Sequence, residues 1–145
     1  MHVPPELPSV LLVEDSDEDA DTFATALERS GLVATVHRVA SGDACIAWFT
    51  ASRQTPTLVI MDLNMPGMDG RQALLFIKSA PLFKAIPVII FSTSSSEQDR
   101  DLCFQAGANA YHIKSLRYPD HLQTVQNLLQ YWLLQSRLPE PGGLG

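Results

Sequence analysis

Acidic side chains stand directly behind two short apolar runs: Glu14 and Asp15 follow SVLLV (9–13), and Asp62 follows TLVIM (57–61). Two further runs end on groups that complement them, with Ser92 closing IPVIIF (86–91) and Lys114 following AYHI (110–113). Three carboxylates gathered in one place repel one another and are tolerated chiefly when a hard divalent cation such as Mg²⁺ sits among them. Lys114 would neutralise a phosphoryl oxygen as a point charge, and the Ser92 hydroxyl would donate a hydrogen bond to the same group. Together these are the parts of a phosphoryl-transfer site.

For these residues to meet, the apolar runs must be strands whose carboxyl ends lie side by side. SVLLV, TLVIM and IPVIIF have the continuous apolar character of strands buried on both faces. A weaker, alternating strand covers 32–39, and 110–113 makes a short fifth. Between them, Ala20, Phe23, Ala24 and Leu27 recur at helical spacing over 17–30, ahead of a C-cap glycine at Gly31. Ser41 and Asp43 start a second helix with Ala44, Ala47, Trp48 and Ala51, and the loop NMPGMDG (64–70) leads to a third with Ala73, Leu74, Ile77 and Lys78. A fourth spans 97–106 before Gly107, and Pro119 opens a last one running to about 136. This alternation predicts an α/β fold, a five-stranded parallel sheet with helices on both faces. In such sheets ligands bind beyond the carboxyl ends of the strands, where the acids, Ser92 and Lys114 fall.

The chain's 145 residues, 46% of them hydrophobic, suffice for one domain with a real core. That domain is expected over 9–136, between an irregular segment at 1–8 and a Pro/Gly-rich tail at 137–145. A net charge of −6 repels nucleic acid and anionic membrane. With no leader-like start and no apolar run near the roughly 18 residues of a membrane span, a cytoplasmic protein is expected. Cys45 and Cys103 form no C-x-x-C pair and read as reduced thiols.

Several conspicuous features have plainer explanations. The run EDSDEDAD is no calcium loop, since counting from Asp15 puts Ala20 at the glycine position and Ala26 at the final acid. Asp17, Glu18 and Asp19 suit the positive end of a helix capped by Ser16. Asp69 with Gly70 reads as turn chemistry. His2, His37, His112 and His121 share no metal spacing and are assigned no role. In the last helix Leu122, Val125, Leu129, Trp132 and Leu133 form a stripe sufficient for docking, while Leu128, Tyr131, Leu134 and Leu138 form a second. The surplus stripe predicts a symmetric homodimer built on the final strand and helix.

The motif set ED at 14–15, DLNMPGMDG at 62–70, Ser92-Thr93 after PVIIF, and Lys114 resembles the receiver domain of response regulators over about 9–136. The resemblance implies a flavodoxin-like strand order of 2-1-3-4-5 with an extended last helix. It also implies Asp62 as phosphoacceptor and Mg²⁺ held by Glu14, Asp15, Asp62 and the backbone carbonyl of Asn64. Ser92 would then be the switch hydroxyl, Lys114 the partner of the phosphoryl group, and Tyr111 the aromatic that turns inward when Ser92 moves. Asn64 and Ser94, near the attack path, would tune hydrolysis. Glu14, Ser92, Thr93 and Ser115 depart from the commoner Asp, Thr, Ala and Pro without removing an essential group. Ser115 makes a cis bond after Lys114 unfavourable by about 2.5 to 4 kcal/mol.

Within receivers, IKSAPLFKAIPVIIFSTS, a lysine followed by serine and the ending YWLL resemble the single-domain regulators of cyanobacterial phytochromes. That implies a red/far-red-sensing histidine kinase as phosphodonor and output through dimerisation, partner binding or relay to a histidine phosphotransfer protein. Such a protein catalyses only its own phosphorylation and dephosphorylation. The alternative is a receiver-like interaction module that takes no phosphoryl group, a reading that missing acids or a missing lysine would favour. An aspartate-nucleophile phosphatase would need D-x-D-x-[TV] after the first strand, which Glu18-Asp19 does not complete. A flavodoxin-like electron carrier would need a hydroxyl- and glycine-rich loop there, where acids stand.

Overall fold

A computed structural model describes residues 7–52, 55–65 and 70–136. Strands and helices alternate: β1 (Ser9–Val13), α1 (Asp17–Ser30), β2 (Thr35–Val39), α2 (Gly42–Ala51), β3 (Leu58–Asp62), α3 (Gly70–Ser79), β4 (Val88–Ser92), α4 (Glu97–Gln105), β5 (Ala110–Ile113) and α5 (Tyr118–Gln130). All five strands are parallel, in the order β2-β1-β3-β4-β5. The expected fold class and strand order are both present.

Successive residues of each central strand enter opposite cores, as a pleat with two buried faces requires. Leu11, Val13, Val59, Met61, Val88 and Ile90 pack with Cys45, Phe49, Leu74 and Ile77 from α2 and α3. Val10, Leu12, Leu58, Ile60, Ile89 and Phe91 pack with Phe23 and Ala26 of α1 and Leu122, Val125 and Leu129 of α5. Both cysteines are free and buried, and burial pushes the Cys45 thiol up to about 12.

Helix starts follow the capping residues. Ser16, Ser41 and Ser96 accept hydrogen bonds from the backbone N–H of Asp19, Ala44 and Asp99. Gly31, at φ 73°, closes α1 in the left-handed conformation. Two strands start later than their sequence pattern predicts: β2 begins at Thr35 rather than 32, and β4 at Val88 rather than 86.

The last helix departs from the sequence reading in two ways. Leu128 is 4% exposed and belongs to the α1–α5 core, so it is removed from the surplus stripe. The reason is helical spacing: Leu128 follows Val125 by three residues and shares its face. After Gln130 the chain widens into a π-helical turn over Tyr131–Gln135, with Ser136 N–H donating to the Tyr131 carbonyl at 2.6 Å. The extra residue in that turn shifts the face presented, leaving Tyr131 52% and Leu134 66% exposed. Leu138 lies outside the described residues, as do the segments 1–6 and 137–145.

Candidate functional site

Strand register brings the predicted residues to one edge. Val13 pairs with Met61, Asp62 with Phe91 and Ser92 with Ile113. Two backbone bonds continue this pairing past the strand ends, from Glu14 N–H to the Val39 carbonyl at 2.9 Å and from Lys114 N–H to the Ser92 carbonyl at 2.7 Å. Glu14, Asp15, Asp62, Ser92 and Lys114 therefore cluster where β1 and β3 diverge toward opposite halves of the sheet, the place such folds bind ligands.

Carboxylate oxygens of Glu14, Asp15 and Asp62 lie within 4.8 Å of one another. Glu14 and Asp62 are buried and Asp15 is exposed. Burial pushes the Glu14 carboxyl up to about 7, against the pull of Lys114, and the neighbouring Asp62 adds to the rise. Burial raises Asp62 as well, while Lys114 and the Asn64 N–H oppose it. Two buried acids that resist ionisation beside a third, all offering hard oxygen donors, fit a divalent cation with an open side toward solvent.

The surroundings of Asp62 are closely specified. Its Oδ1 accepts from the Asn64 N–H at 3.3 Å, and the Asn64 side-chain amide donates to Ser92 Oγ at 3.3 Å. Ser92 Oγ also accepts from the Ser94 N–H at 3.0 Å, leaving its own hydrogen free to donate. Tyr111 Oη donates to the Ser94 carbonyl at 2.9 Å, so the aromatic expected to respond to Ser92 is tied two residues away from it. Ser94 points elsewhere: its hydroxyl donates to Asp99 at 2.7 Å, and Arg71 bonds the other oxygen of Asp99 at 2.8 Å. These bonds, Ser94 first, hold Asp99 below the usual carboxylate range.

Gly70 does more than end a turn. Its N–H donates to the Leu63 carbonyl at 3.0 Å, and an added Cβ would collide with the backbone carbonyl of Asp62 and stand 3.0 Å from Leu63 Cα. Only glycine permits α3 to start so close behind Asp62. Asp69, read as turn chemistry, lies outside the described residues, as does Pro66.

Lys114 reaches the site with a partner that the sequence reading missed. Its Nζ lies 2.7 Å from Glu14 Oε1, 2.7 Å from Asp19 Oδ2 and 3.6 Å from Asp62 Oδ2. Burial works against the charge on Lys114, but hydrogen bonds from its ammonium to Asp19 and Glu14 outweigh this and raise its pKa above the ordinary lysine value. Asp19 does sit in a capped first turn, yet its carboxylate points inward. A signal was available: Asp19, Thr22, Phe23 and Ala26 share one helical face, and the last three are buried. Among the described residues no peptide bond is cis, so the Lys114–Ser115 bond is trans.

His121 was also missed. It is buried on α5, stands edge-on to Phe91 at 5.7 Å, and lines a small cavity with Glu14, Asp19, Asp62 and Lys114. Its Nδ1 has no hydrogen-bond partner among the described residues, and burial holds its pKa down. A larger cavity of 380 Å³ between α1 and β2 is lined mainly by apolar side chains such as Leu27, Leu32 and Val36, without the acid cluster.

The chain belongs to the family of response regulator receiver domains, whose pattern matches residues 10–126. Among its relatives is response regulator Rcp1 of Synechocystis, 33% identical over 141 residues, which cover 94% of this chain and 95% of that one. A crystal structure of response regulator Rcp1 in its Mn²⁺-bound form superimposes with a TM-score of 0.85 at 32% identity, covering 91% of this chain and 99% of that one. The phosphorylated cyanobacterial phytochrome response regulator RcpA gives a TM-score of 0.86 at 34% identity, covering 93% and 100%. The probable methanogenesis regulatory protein FilR2 of Methanothrix harundinacea is 33% identical over 136 residues, covering 91% and 88%. Among the described residues no helix is long and apolar enough to cross a membrane.

Proposed function

We propose that this protein is a single-domain response regulator that accepts a phosphoryl group from a histidine kinase on Asp62 and signals by conformational change and partner binding. The receiver unit spans 9–136, and the protein works in the cytoplasm as a homodimer. The observation that carries this reading is the convergence of Glu14, Asp15 and Asp62 on one cation-sized site with Lys114 beside it. An interaction module that takes no phosphoryl group has no use for such an arrangement of buried charge.

In the transfer, a carboxylate oxygen of Asp62 attacks the phosphorus of a phosphohistidine. The O–P bond forms as the P–N bond breaks, and the imidazole leaves as the neutral base with a proton from solvent. Mg²⁺, held by Glu14, Asp15, Asp62 and the Asn64 carbonyl, would supply charge neutralisation at the phosphoryl oxygens. Lys114 meets a second phosphoryl oxygen with its ammonium, and Ser92 turns its hydroxyl toward a third. The Ser92 movement draws on the bonds to Ser94, and Tyr111 follows through its bond to the Ser94 carbonyl. Hydrolysis reverses the state when water attacks phosphorus and the Asp62 carboxylate leaves.

Similarity to Rcp1 and RcpA supports a phytochrome-type kinase as the donor, with a histidine phosphotransfer protein as a candidate recipient downstream. FilR2 matches to the same identity as Rcp1, so the donor is decided by experiment. Phosphotransfer from a panel of histidine kinases, a phytochrome kinase among them, should label the protein fastest from the phytochrome kinase and leave Asp62→Asn unlabelled. Preferential labelling by an unrelated kinase would overturn the donor assignment, and labelling of Asp62→Asn would overturn the site.

A further inference from the structure

Lys114 can serve a phosphoryl group only by reaching it, yet its two shortest contacts are to other acids. Nζ stands 2.7 Å from both Glu14 and Asp19 and 3.6 Å from Asp62. Glu14 has a second role in the carboxylate trio, whereas Asp19 lies outside that trio. Asp19 is held firmly: its N–H bonds Ser16 Oγ at 3.2 Å, and α1 is docked against α5 through Phe23 and Ala26. An ammonium carries three donors, and charge-assisted bonds to Glu14 and Asp19 occupy two of them.

We propose that Asp19 is a positioning residue of the phosphoryl site, competing with the group on Asp62 for the Lys114 ammonium and thereby setting how firmly the loaded state is held. This rests on the phosphoacceptor reading above. When a phosphoryl group arrives on Asp62, the third ammonium donor can meet it only if Nζ moves in from its 3.6 Å stand-off, an exchange that draws it away from the 2.7 Å contact with Asp19. The exchange is opposed in proportion to the strength of the contact with Asp19. Glu14 cannot set this balance alone, because the cation and the lysine share its carboxylate.

The test uses the full chain with Mg²⁺ and beryllofluoride, a tetrahedral stand-in for the phosphoryl group, titrated by ¹⁹F NMR. Asp19→Asn should tighten beryllofluoride binding by about fivefold or more, the lower end of ordinary coupling between sites. Asp19→Glu, which restores the charge, should return affinity toward that of the unaltered protein. Asp17→Asn removes the same charge from the same turn, but Asp17 is 91% exposed at its side chain and faces Arg38, so it should change nothing. In a Lys114→Gln background, Asp19→Asn should lose its effect, as an action through the lysine requires. The Lys114 ammonium resonance should also move in Asp19→Asn without any ligand, a readout that a merely stabilising role would leave in place.

Unchanged or weaker binding by Asp19→Asn, or equal tightening in the Lys114→Gln background, overturns the proposal. If the unaltered protein takes up no beryllofluoride while the Lys114 resonance still responds to Asp19→Asn, the phosphoacceptor reading fails and the exchange falls with it. Uptake that is indifferent to Asp19 overturns the exchange alone.

Discussion

Asn64 joins the proposed acceptor to the proposed switch: its side-chain amide donates to Ser92 Oγ at 3.3 Å while its N–H donates to Asp62 Oδ1 at the same distance. Ser92 is fully buried, so Ser92→Ala strips an acceptor from both the Asn64 amide and the Ser94 N–H in a dry setting. The expected loss of stability is about 1 to 3 kcal/mol by urea unfolding. Beryllofluoride should still bind, but the Tyr111 ring signals, which are expected to shift on binding in the unaltered protein, should stay fixed. A Tyr111 shift of normal size in Ser92→Ala would show that the signal bypasses this serine.

Lys114 is the cation at the centre of three carboxylates, and its side chain is 10% exposed. Lys114→Met leaves buried acids without their counter-charge, a change that costs about 3 kcal/mol at the lower end of such deletions. Urea unfolding in EDTA should show that loss, and added Mg²⁺ should recover part of it by replacing the missing positive charge. A loss below about 1 kcal/mol would mean the acids are held by something other than the lysine.

Glu14 gives a pH dependence with a definite sign. Its carboxyl is raised from an ordinary 4.5 to about 7 in the fold, so folding favours the protonated form. That contribution is full below 4.5 and is lost as pH rises through 7. Divalent cation competes with this proton, so Mg²⁺ should raise the melting temperature more at about pH 8 than at about pH 6. An equal increment at both would remove Glu14 from the cation site.

Tyr131 and Leu134 remain as the exposed part of the surplus stripe once Leu128 is counted in the core. If they form the homodimer, Leu134→Glu should yield a monomer by light scattering at concentrations where the unaltered chain is a dimer, with little change in melting temperature. A dimer that survives Leu134→Glu and Tyr131→Glu together would place the interface elsewhere.

Much of this molecule was legible in its sequence because the signals were local. Continuous apolar runs marked β1, β3 and β4, and the serines before α1 and α2 marked their starts, since caps and buried strands act through neighbouring residues. The acids, Ser92 and Lys114 were legible for the same reason: each stands at the end of a strand. What was missed depends on contacts between distant segments. Asp19 meets Lys114 across 95 residues of chain, and His121 meets Phe91 through the docking of α5, and neither carries a local motif. Leu128 was misplaced because two stripes on one helix can merge into a single broad buried face, and the π-helical turn that turns Tyr131 and Leu134 outward leaves no mark in composition.

The central claim is that Asp62 takes a phosphoryl group with the help of its neighbouring acids and a divalent cation. Intact mass measured after incubation with acetyl phosphate and Mg²⁺ tests it most directly. The account predicts a gain of one phosphoryl mass that is labile to base, absent in EDTA and abolished by Asp62→Asn. No gain in the unaltered protein, or a gain that survives Asp62→Asn, would contradict it.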